Sequence, residues 1–318
     1  MQRDQAIVHK TMSAIRGKDT GIEKLLRKEI HAAGLHYQTN SNKAFGHPDL
    51  LFASTRVAVF CDSEFWHGYH YEEAIEKVHT HRLFWEAKIQ RNIARDQEVN
   101  ARLKEEGYLV LRYWGKDIEA RPKEIAEEII TIVKRRLWMV ERSKTLKEFT
   151  TLAYIDRGDA YLLLHRTKKK NDENEGKWIG VGGHLEGNES PMAAMKREIL
   201  EETGLAVEGY RYLGQVDFLY GHKKAERMYL YVVDSFSGEV GECDEGDLAW
   251  ISKDSFLKMP MWEGDLLFIP YLAKETASPL HLQLFYDETG QLVDFIGPFF
   301  PNKKKLRKNH TKKQEKYT

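Results

Sequence analysis

The sequence contains very little cysteine and no long apolar run. Only Cys61 and Cys243 occur among 318 residues, which excludes a disulfide framework and a thiolate zinc site and favours a reducing compartment. No run of about 18 apolar residues is present, so we expect no membrane span. The first residues have no apolar signal-peptide core, so we expect a cytoplasmic protein. Its length predicts about two domains.

The net charge of zero conceals three segments of different charge. Residues 1–148 contain 26 basic and 22 acidic side chains, residues 149–300 contain 15 and 26, and residues 301–318 contain eight and one. Basic segments suit phosphate backbones, whereas an acidic domain usually needs a metal to meet a phosphorylated ligand. We expect the Lys-rich tail to be disordered and to add salt-sensitive, non-specific DNA affinity.

The pattern of the first part predicts an α/β fold in the order α-β-β-α-β-α, with a mixed sheet flanked by helices. The predicted elements are a helical region Ser13–Leu35, a hairpin of Asp49–Phe52 and Arg56–Phe60, a helix Phe84–Glu106, a buried strand Tyr108–Tyr113 and a helix Pro122–Leu137. Val140–Lys147 is a charged connection, so we expect domains at 1–140 and 148–300, a linker at 141–147 and the tail at 301–318.

The second part is predicted to be rich in strands, with one central helix. The strands are expected at Thr150–Ile155, Ala160–His165, Trp178–Val181, Arg211–Phe218, Arg227–Phe236, Leu248–Ile251, His281–Tyr286 and Leu292–Phe295. The helix should run from Pro191 to Thr203, because Ser190 is a good N-cap and Gly204 a good C-terminal residue.

Three glutamates share one face of that helix. Glu198, Glu201 and Glu202 lie at i, i+3 and i+4, and like charges at this spacing repel unless something neutralises them. Such oxygen ligands suit Mg²⁺ or Mn²⁺, which can bridge a diphosphate and activate water. A solvated acidic face is the alternative interpretation.

The residues around the glutamates decide between these interpretations. The segment 183–205 resembles the Nudix box, G-x5-E-x7-R-E-U-x-E-E-x-G-U, and the resemblance extends over about residues 148–300. The matching positions are Gly183, Glu189, Arg197, Glu198, Ile199, Glu201, Glu202, Gly204 and Leu205. The resemblance implies an α/β/α sandwich fold. It also implies an enzyme that hydrolyses nucleoside diphosphates linked to another group. It assigns the last three glutamates to a catalytic Mg²⁺ or Mn²⁺, and Gly183, Glu189 and Arg197 to nucleotide binding.

Two later residues indicate the substrate. Trp262 and Asp265 have the spacing at which some MutT-like 8-oxo-dGTP diphosphatases stack a Trp on the base and read its edge with a carboxyl group. A stacked indole gives affinity, and a carboxyl group can discriminate the oxidised edge. Ile179 and Gly264 depart from that subgroup, since an Asn and a second acid stand there in relatives. Trp262 as an ordinary core aromatic is the alternative.

The first part contains a second candidate site. Asp49 opens one predicted strand, while Asp62, Glu64 and His67 follow the next, and hairpin pairing can bring them together. Carboxylates beside a histidine suit Mg²⁺ with an adjacent acid or base. A row of cations on one helix face, Lys88, Arg91 and Arg95, could contact phosphates, although such rows are usually solvated.

Together these residues resemble the very short patch repair (Vsr) endonucleases over about residues 10–120. The matching positions are Met12 to Thr20 with Glu23, Pro48-Asp49, Phe65 to Gly68, Phe84-Trp85 with Lys88, Asn92 and Arg95-Asp96, and Gly107-Tyr108 with Val110-Leu111 and Trp114. The resemblance implies a PD-(D/E)xK restriction-endonuclease-like fold that nicks DNA beside T·G mismatches.

The Vsr resemblance also assigns roles. Asp49 is the metal-binding carboxylate, His67 the general base or transition-state partner, and Glu23 an auxiliary acid, and the carbonyl of Cys61 is a possible second ligand. Three aromatic residues, Phe65, Trp66 and Trp85, match those that wedge into the mismatched duplex.

One departure from the Vsr family concerns zinc. Glu64, Tyr69, Tyr71 and Lys116 stand at the zinc-binding positions of well-known members, so we expect no structural zinc. Glu64 is then available to join Asp49 at the metal. Tyr69 and Tyr71 packing could hold the loop Tyr69–His81 instead.

The sequence therefore predicts a bifunctional mutation-avoidance protein whose partners are duplex DNA and a nucleoside triphosphate. Two alternatives stay open at this point. One is a DNA-binding regulator with a nucleotide-sensing Nudix domain, and the other is a restriction-type nuclease joined to a Nudix hydrolase of another substrate.

Overall fold

The structure is a computed structural model that describes residues 20–69, 82–168, 173–221, 225–276 and 278–299. Three predicted features lie wholly or mostly outside these residues: the start of the first helical region at 13–19, the loop at 70–81 and the tail at 301–318. Within the described residues, no helix is long and apolar enough to cross a membrane. The chain divides between Val140 and Glu141 into two compact units.

The first unit places helices around a small mixed sheet. In chain order its elements are α1 (Gly21–Ala32), β1 (Leu50–Phe52), β2 (Val57–Asp62), α2 (Arg82–Glu105), β3 (Leu109–Trp114), α3 (Gly115–Ala120) and α4 (Pro122–Ser143), which crosses the division. The strand order is β1-β2-β3, with β1 antiparallel and β3 parallel to β2. The predicted hairpin and mixed sheet are confirmed, whereas β3 is half-buried rather than buried.

The two faces of this sheet are covered by different helices. On one face, Leu50, Phe52 and Val59 form a core with α1 and α4. On the other face, Leu51 and Phe60 pack with residues of α2. Alternating side chains of a strand point to opposite faces, which is why neighbouring residues of β1 join different cores.

Helix α4 continues six residues past its predicted end at Leu137. The basic run Lys134-Arg135-Arg136 near that predicted end is not a solvated terminus, because Arg136 is buried and its guanidinium donates to the carbonyls of Thr55 and Arg56 at 3.3 and 3.1 Å. Met139 is also buried and extends the apolar face. The first residues of the predicted linker 141–147 are therefore helical.

The second unit is built on one large sheet with a single long helix. Its elements are β4 (Glu148–Asp156), β5 (Ala160–His165), β6 (Trp178–Ile179), α5 (Pro191–Thr203), β7 (Ala206–Tyr220), β8 (Glu226–Ser237), β9 (Asp247–Ser252), α6 (Lys253–Phe256), 3-10 turns at Glu263–Leu267 and Ile269–Tyr271, β10 (Leu280–Tyr286) and β11 (Leu292–Phe299). The strand order is β11-β10-β7-β8-β4-β5-β6, and β9 pairs with β5.

The predicted helix at Pro191–Thr203 is confirmed at both ends. The Ser190 side chain accepts from the backbone N–H of Ala193, and Gly204 adopts the left-handed conformation that ends the helix. The sequence analysis missed the 3-10 turn that carries Asp265 and predicted shorter forms of β7 and β8. Opposite faces of the sheet bury two cores, one against α5 and one against the turns after β9.

A buried charged network surrounds Asp217 within the second unit, to which Ser143 also belongs. Asp217 on β7 is fully buried and accepts from Arg227 at 2.7 and 3.0 Å, from His281 at 3.1 Å and from the hydroxyl of Ser143. Burial opposes ionisation, but the hydrogen bonds from His281 and Arg227 hold the pKa of Asp217 below its usual value. The carboxylate is thus ionised at neutral pH.

We expect Asp217→Ala to lower the free energy of unfolding by about 3 kcal/mol, because Arg227 would lose its buried counter-ion. Asp234→Ala removes an exposed carboxylate from β8 and should change stability by less than about 0.5 kcal/mol. Urea unfolding at pH 7 measures both. Since the pKa of Asp217 is depressed, its contribution should be complete above the usual aspartate pKa and decline as the pH falls further. Equal effects of the two variants would contradict the assignment.

Candidate active sites

Asp49 lies at the start of β1, and the hairpin carries it beside the end of β2. Its Oδ2 accepts the backbone N–H of Cys61 at 2.7 Å. Burial, together with the charges of Glu23 and Asp62, raises the pKa of Asp49 to about 6, against the opposing hydrogen bond from Cys61. A half-buried carboxylate beside other carboxylates is stabilised by a cation, as expected of a metal ligand.

Glu23 lies at the third position of α1, where it also caps the helix. Its side chain accepts from the N–H and hydroxyl of Thr20 at 3.2 and 2.9 Å, and Thr20 accepts from the N–H of Glu23 in return. Arg27 pairs with the same carboxylate at 3.3 Å. The charge of Glu23 reaches Asp49, so the predicted auxiliary acid stands near the site and stabilises the helix as well.

His67 is held by two carboxylates. Its Nδ1 lies 2.6 Å from Oδ2 of Asp96, on α2, and 3.6 Å from Oδ1 of Asp62. Burial lowers the pKa of the imidazole, but the hydrogen bond to Asp96 and the charges of both aspartates outweigh burial and raise it. With Nδ1 bound to Asp96, Nε2 is the nitrogen that can exchange a proton with substrate.

The sequence analysis did not identify Arg112, which joins these carboxylates. Its guanidinium donates to both oxygens of Asp62 at 2.9 and 2.7 Å, lies 3.2 Å from Asp96, and donates to Asn100 at 2.9 Å. It lies 4.3 Å from the ring centroid of Phe60, its register partner on β2. Asp62, expected to converge on Asp49, lies close enough for its charge to raise the pKa of Asp49, but both of its oxygens accept from Arg112. We call Asp62, His67, Asp96 and Arg112 the Arg112 cluster.

The structure places Glu64 away from the metal-binding role considered for it. Its Oε1 accepts the backbone N–H of Lys116 at 2.6 Å, at the start of α3. The Lys116 ammonium lies 3.6 Å from the ring centroid of Tyr69, which packs edge-on against Trp114 at 4.9 Å. The expected packing of Tyr69 is therefore present, whereas Tyr71 lies outside the described residues. A carboxylate suits this place because a helix N-terminus attracts negative charge.

The three aromatic residues expected to wedge into DNA form one cluster. Phe65 contacts Trp66 and Trp85 edge-on, with ring centroids 5.1 and 6.0 Å apart, and the two indoles lie 5.6 Å apart. Asn92 donates to the carbonyl of Trp66 at 3.0 Å and ties the loop to α2. The sequence separated these side chains by about 20 residues, and the fold unites them.

The predicted row of phosphate-contacting cations is not a uniform row. Lys88 places its ammonium 4.5 Å from the ring centroid of Trp66, and Arg91 folds back to donate to the carbonyl of Ala87 at 3.2 Å. Arg95 lines a separate groove with Arg102. Helical spacing placed these residues on one face, but nearby aromatic rings and carbonyls determine where each charge goes.

In the second unit, Arg197 organises the predicted metal-binding helix. Its guanidinium donates to Glu189 at 2.7 Å, to Glu198 at 2.8 Å, to Glu201 at 3.0 Å and to the carbonyl of His184 at 3.0 Å. The hydrogen bond from Arg197 lowers the pKa of Glu189. This network attaches the loop before α5 to the helix.

The predicted nucleotide-binding role of Glu189 and Arg197 is not supported by this geometry. Neither side chain lines the cavity beside α5, because the two residues bind each other. Glu201 likewise points to solvent with 59% of its side chain exposed. Of the three helix glutamates, Glu198 and Glu202 line the cavity.

The cavity has a volume of about 470 Å³ and a carboxylate end beside Gly183. A Cβ on Gly183 would stand 2.5 Å from Oε2 of Glu198, so the carboxylate approaches the backbone closely here and a larger residue would displace it. Within the part of the chain that the structure describes, no three His, Cys, Asp or Glu side chains are arranged to hold a metal ion. Here Arg197 neutralises Glu198 and Glu201, and these oxygen donors fit a hard divalent cation by their chemistry.

The other end of the cavity carries the two residues predicted to recognise the base. Trp262 donates through its indole N–H to Asn174 at 2.7 Å, and the Lys177 ammonium lies 4.0 Å from its ring centroid. Asp265 lies one turn further on, and burial raises its pKa to about 7. Trp262 also packs against the core. Its surroundings therefore agree partly with a base-stacking residue and partly with an ordinary core aromatic.

The structure explains one of the two departures from the purine subgroup. The backbone N–H of Gly264 donates to the hydroxyl of Tyr286 at 3.0 Å, and a Cβ on Gly264 would overlap that hydroxyl. An acidic residue therefore does not fit there, and Asp265 provides the carboxyl group at this end. The second departure, Ile179, lines the cavity as an apolar residue.

Several charged residues of the cavity carry no motif and were missed. Glu245 lines it and pairs with Arg166, and Glu226 on β8 lies near His184. Burial raises the pKa of Glu226. Glu226 on β8 lies opposite Phe218 on β7 because of the strand register. Predicting this neighbour would have required knowing the order of the strands in the sheet.

Comparison with known proteins matches each part of the chain to a different family. The family profile described as DNA mismatch endonuclease Vsr matches residues 3–73, and that described as NUDIX domain matches residues 147–272. The chain thus belongs to the Vsr family through its N-terminal part and to the Nudix family through its C-terminal part. Both families are hydrolytic, so the chain carries a Vsr-like nicking endonuclease domain and a Nudix hydrolase domain.

Individual relatives match one part each. The type II nicking enzyme V.NmeDIP of Neisseria meningitidis serogroup C is 44% identical over 125 residues, covering 39% of this chain and 84% of that protein. The DNA mismatch endonuclease Vsr of Escherichia coli (strain K12) is 33% identical, covering 40% and 81%. The oxidized purine nucleoside triphosphate hydrolase of Danio rerio is 32% identical, covering 34% and 69%.

We predict that Arg112 positions His67 and lowers the pKa of its imidazole. Removing the guanidinium in Arg112→Leu removes a charge that lowers the pKa of His67, so the acidic limb of the nicking pH profile should move to higher pH. Asp96→Asn removes a carboxylate that raises the pKa, so the limb should move to lower pH. Single-turnover nicking between pH 5 and 9 measures the shift.

The matched control is Arg121→Leu, which removes an exposed arginine near α3 and should leave the profile in place. If Arg112→Leu and Asp96→Asn moved the acidic limb of the pH profile in the same direction, the Arg112 cluster would affect nicking only by stabilising the fold.

Proposed function

We propose that this chain is a bifunctional mutation-avoidance enzyme. Its first unit nicks duplex DNA at mismatched sites, and its second unit hydrolyses oxidised purine nucleoside triphosphates such as 8-oxo-dGTP. The observation that carries the proposal is the presence of two separate acidic sites, each with a recognition surface beside it. The proposed nuclease domain comprises residues 1–140, and the Nudix domain comprises residues 148–300.

In the first unit, the side chains divide the work. Asp49 and the carbonyl of Cys61 would hold a divalent cation, and His67 holds a proton at Nε2 next to the scissile phosphate. Asp96 fixes the imidazole through Nδ1. The aromatic cluster of Phe65, Trp66 and Trp85 supplies the wedge that opens the base stack, at a cost of a few kcal/mol per step.

In the second unit, Glu198 and Glu202 line the cavity and would hold Mg²⁺ or Mn²⁺ at its carboxylate end. Glu201 would join them by turning from its solvent-exposed position. A bound divalent cation offsets the charge of a diphosphate and lowers the pKa of water. The chain itself orients the substrate, because Trp262 and Asp265 lie at the opposite end of the same cavity. The relative from Danio rerio is named for oxidised purine nucleoside triphosphates, which supports this substrate class.

Asp49→Ala should abolish cation-dependent nicking while DNA binding survives, since affinity comes mainly from basic and aromatic side chains. We expect loss on the order of 100-fold or more. Nicking of a T·G-mismatched duplex and its matched counterpart provides the assay. Diphosphatase activity of the same preparation is the internal control. Full nicking by this variant would refute the site, and indifference to the mismatch would refute the repair role alone.

Glu198→Gln and Glu201→Gln should each lower diphosphatase activity on the order of 100-fold, because a charged ligand of the cation is lost. Nicking should persist. Glu239→Gln, which removes an exposed carboxylate from the same unit, serves as the matched control. Pyrophosphate release from a nucleotide panel with Mg²⁺ measures the effect, and near-normal hydrolysis by Glu198→Gln would overturn the assignment.

Asp265 should make hydrolysis of 8-oxo-dGTP depend on pH near neutrality. Its pKa of about 7 leaves the carboxyl neutral below that pH and charged above it. A guanine-type edge offers N–H donors, which a charged carboxylate accepts, so kcat/KM should rise through pH 7. Asp265→Asn should raise KM at least about 10-fold and remove the inflection. Glu263→Gln, on the same turn but exposed, should retain it. A retained inflection in Asp265→Asn would contradict this role.

A further inference from the structure

The first unit has a second concave surface, outside the nuclease site described above. It has a volume of about 500 Å³ and lies between the loop 42–47 and one face of α2. The lining residues are Asn42, Lys43, Ala44, Phe45, Gly46, His47, Arg95, Val99, Arg102 and Glu106. We call it the loop–helix groove. Its helix residues stand at i, i+4, i+7 and i+11, which places them on one face.

The groove is rich in positive charge. Lys43, Arg95 and Arg102 line it with His47, against a single carboxylate, Glu106. The Glu106 carboxylate lies 3.9 Å from Arg102, and both side chains are about half exposed, so the pair offsets little of the charge. Cations in an open groove attract an extended polyanion.

The loop is built to keep this shape. A Cβ on Gly46 would stand 2.5 Å from a methyl of Val99, so the loop packs directly on the helix. The Arg102 guanidinium covers the ring of Phe45 at 4.1 Å, and Ser41 donates to Gln38 at 2.9 Å and accepts from the N–H of Lys43 at 3.2 Å. The groove is thus preformed by packing and hydrogen bonds.

His47 adds an independent observation. Its φ is +54°, in the left-handed region, although it is a non-glycine residue that precedes a proline. Residues before proline favour extended backbone, and left-handed non-glycine residues are uncommon. Such conformations persist where the surrounding structure enforces them, often at functional sites. The side chain is exposed within the groove.

Two residues of the groove are close neighbours, along the chain, of residues at the nuclease site. His47 stands two residues before Asp49, and Arg95 immediately precedes Asp96, which holds His67. We propose that the loop–helix groove binds the sugar–phosphate backbone of the cleaved DNA strand next to the scissile phosphate. This rests on the proposed nicking function. Lys43, His47, Arg95 and Arg102 contact consecutive phosphates without reading sequence, and Phe45 forms part of the floor.

The test uses the full chain and a T·G-mismatched duplex. The double variant Lys43→Gln/Arg102→Gln should flatten the plot of log Kd against log[salt] by about 2, since each phosphate contact contributes about 0.9. Lys104→Gln/Lys123→Gln is the matched control, because it removes the same charge from exposed positions outside the groove. All four positions are exposed, so thermal unfolding should be unchanged.

Methylphosphonate substitution locates the contact. Neutralising single phosphates next to the nick should weaken binding by the wild-type chain, and the groove variant should show no further loss at those positions. His47→Gly, which relieves the strained backbone and removes the imidazole, should weaken DNA binding without lowering thermal stability.

Three outcomes would overturn the proposal. A salt slope equal to that of the control pair would exclude the groove as a strand-binding site. So would additive losses from the variant and the methylphosphonates. Loss of affinity for inorganic triphosphate with an unchanged slope for DNA would assign the groove to free polyphosphate. If the wild-type chain neither bound nor nicked duplex DNA, the proposed nuclease function itself would fail, which is a distinct result.

Discussion

Each site depends on its own arginine, whose positive charge offsets the repulsion within a group of neighbouring carboxylates. Arg112 neutralises Asp62 and Asp96 in the first unit, and Arg197 joins Glu189, Glu198 and Glu201 in the second. Carboxylates brought this close without a cation repel, and burying an unpaired charge costs several kcal/mol. Each arginine therefore determines which acids remain turned toward substrate.

The two units use this constraint differently. In the first, Arg112 takes Asp62 and leaves Asp49 with a raised pKa and His67 bound through Nδ1. In the second, Arg197 attaches a loop to the helix and leaves Glu198 and Glu202 along the cavity. In both units, carboxylates stand where phosphate hydrolysis would require a divalent cation. The residues proposed to recognise the substrate lie beside these carboxylates.

Local sequence signals predicted much of this. The cap and C-terminal glycine of α5 located the helix residue by residue, and two short apolar runs located β1 and β2. Basic side chains were the weak point. The Lys134–Arg136 run resembled a helix end but contains a buried arginine, and Lys88 turned to an indole rather than to solvent. Long cationic side chains reach partners that are distant in sequence, so spacing along a helix does not determine their contacts.

The sequence by itself determined the two families, the order of the elements and the acids of each motif, because these depend on local spacing and residue type. Only the tertiary structure decided which acids stand together. Arg112 met Asp62 through a parallel strand pairing, Glu64 turned to the start of α3, and Tyr286 filled the space beside Gly264. These contacts join residues about 20 to 50 positions apart. Whether two such residues attract or fit each other depends on their positions in the folded chain. Local sequence patterns do not give those positions, so they do not predict these contacts.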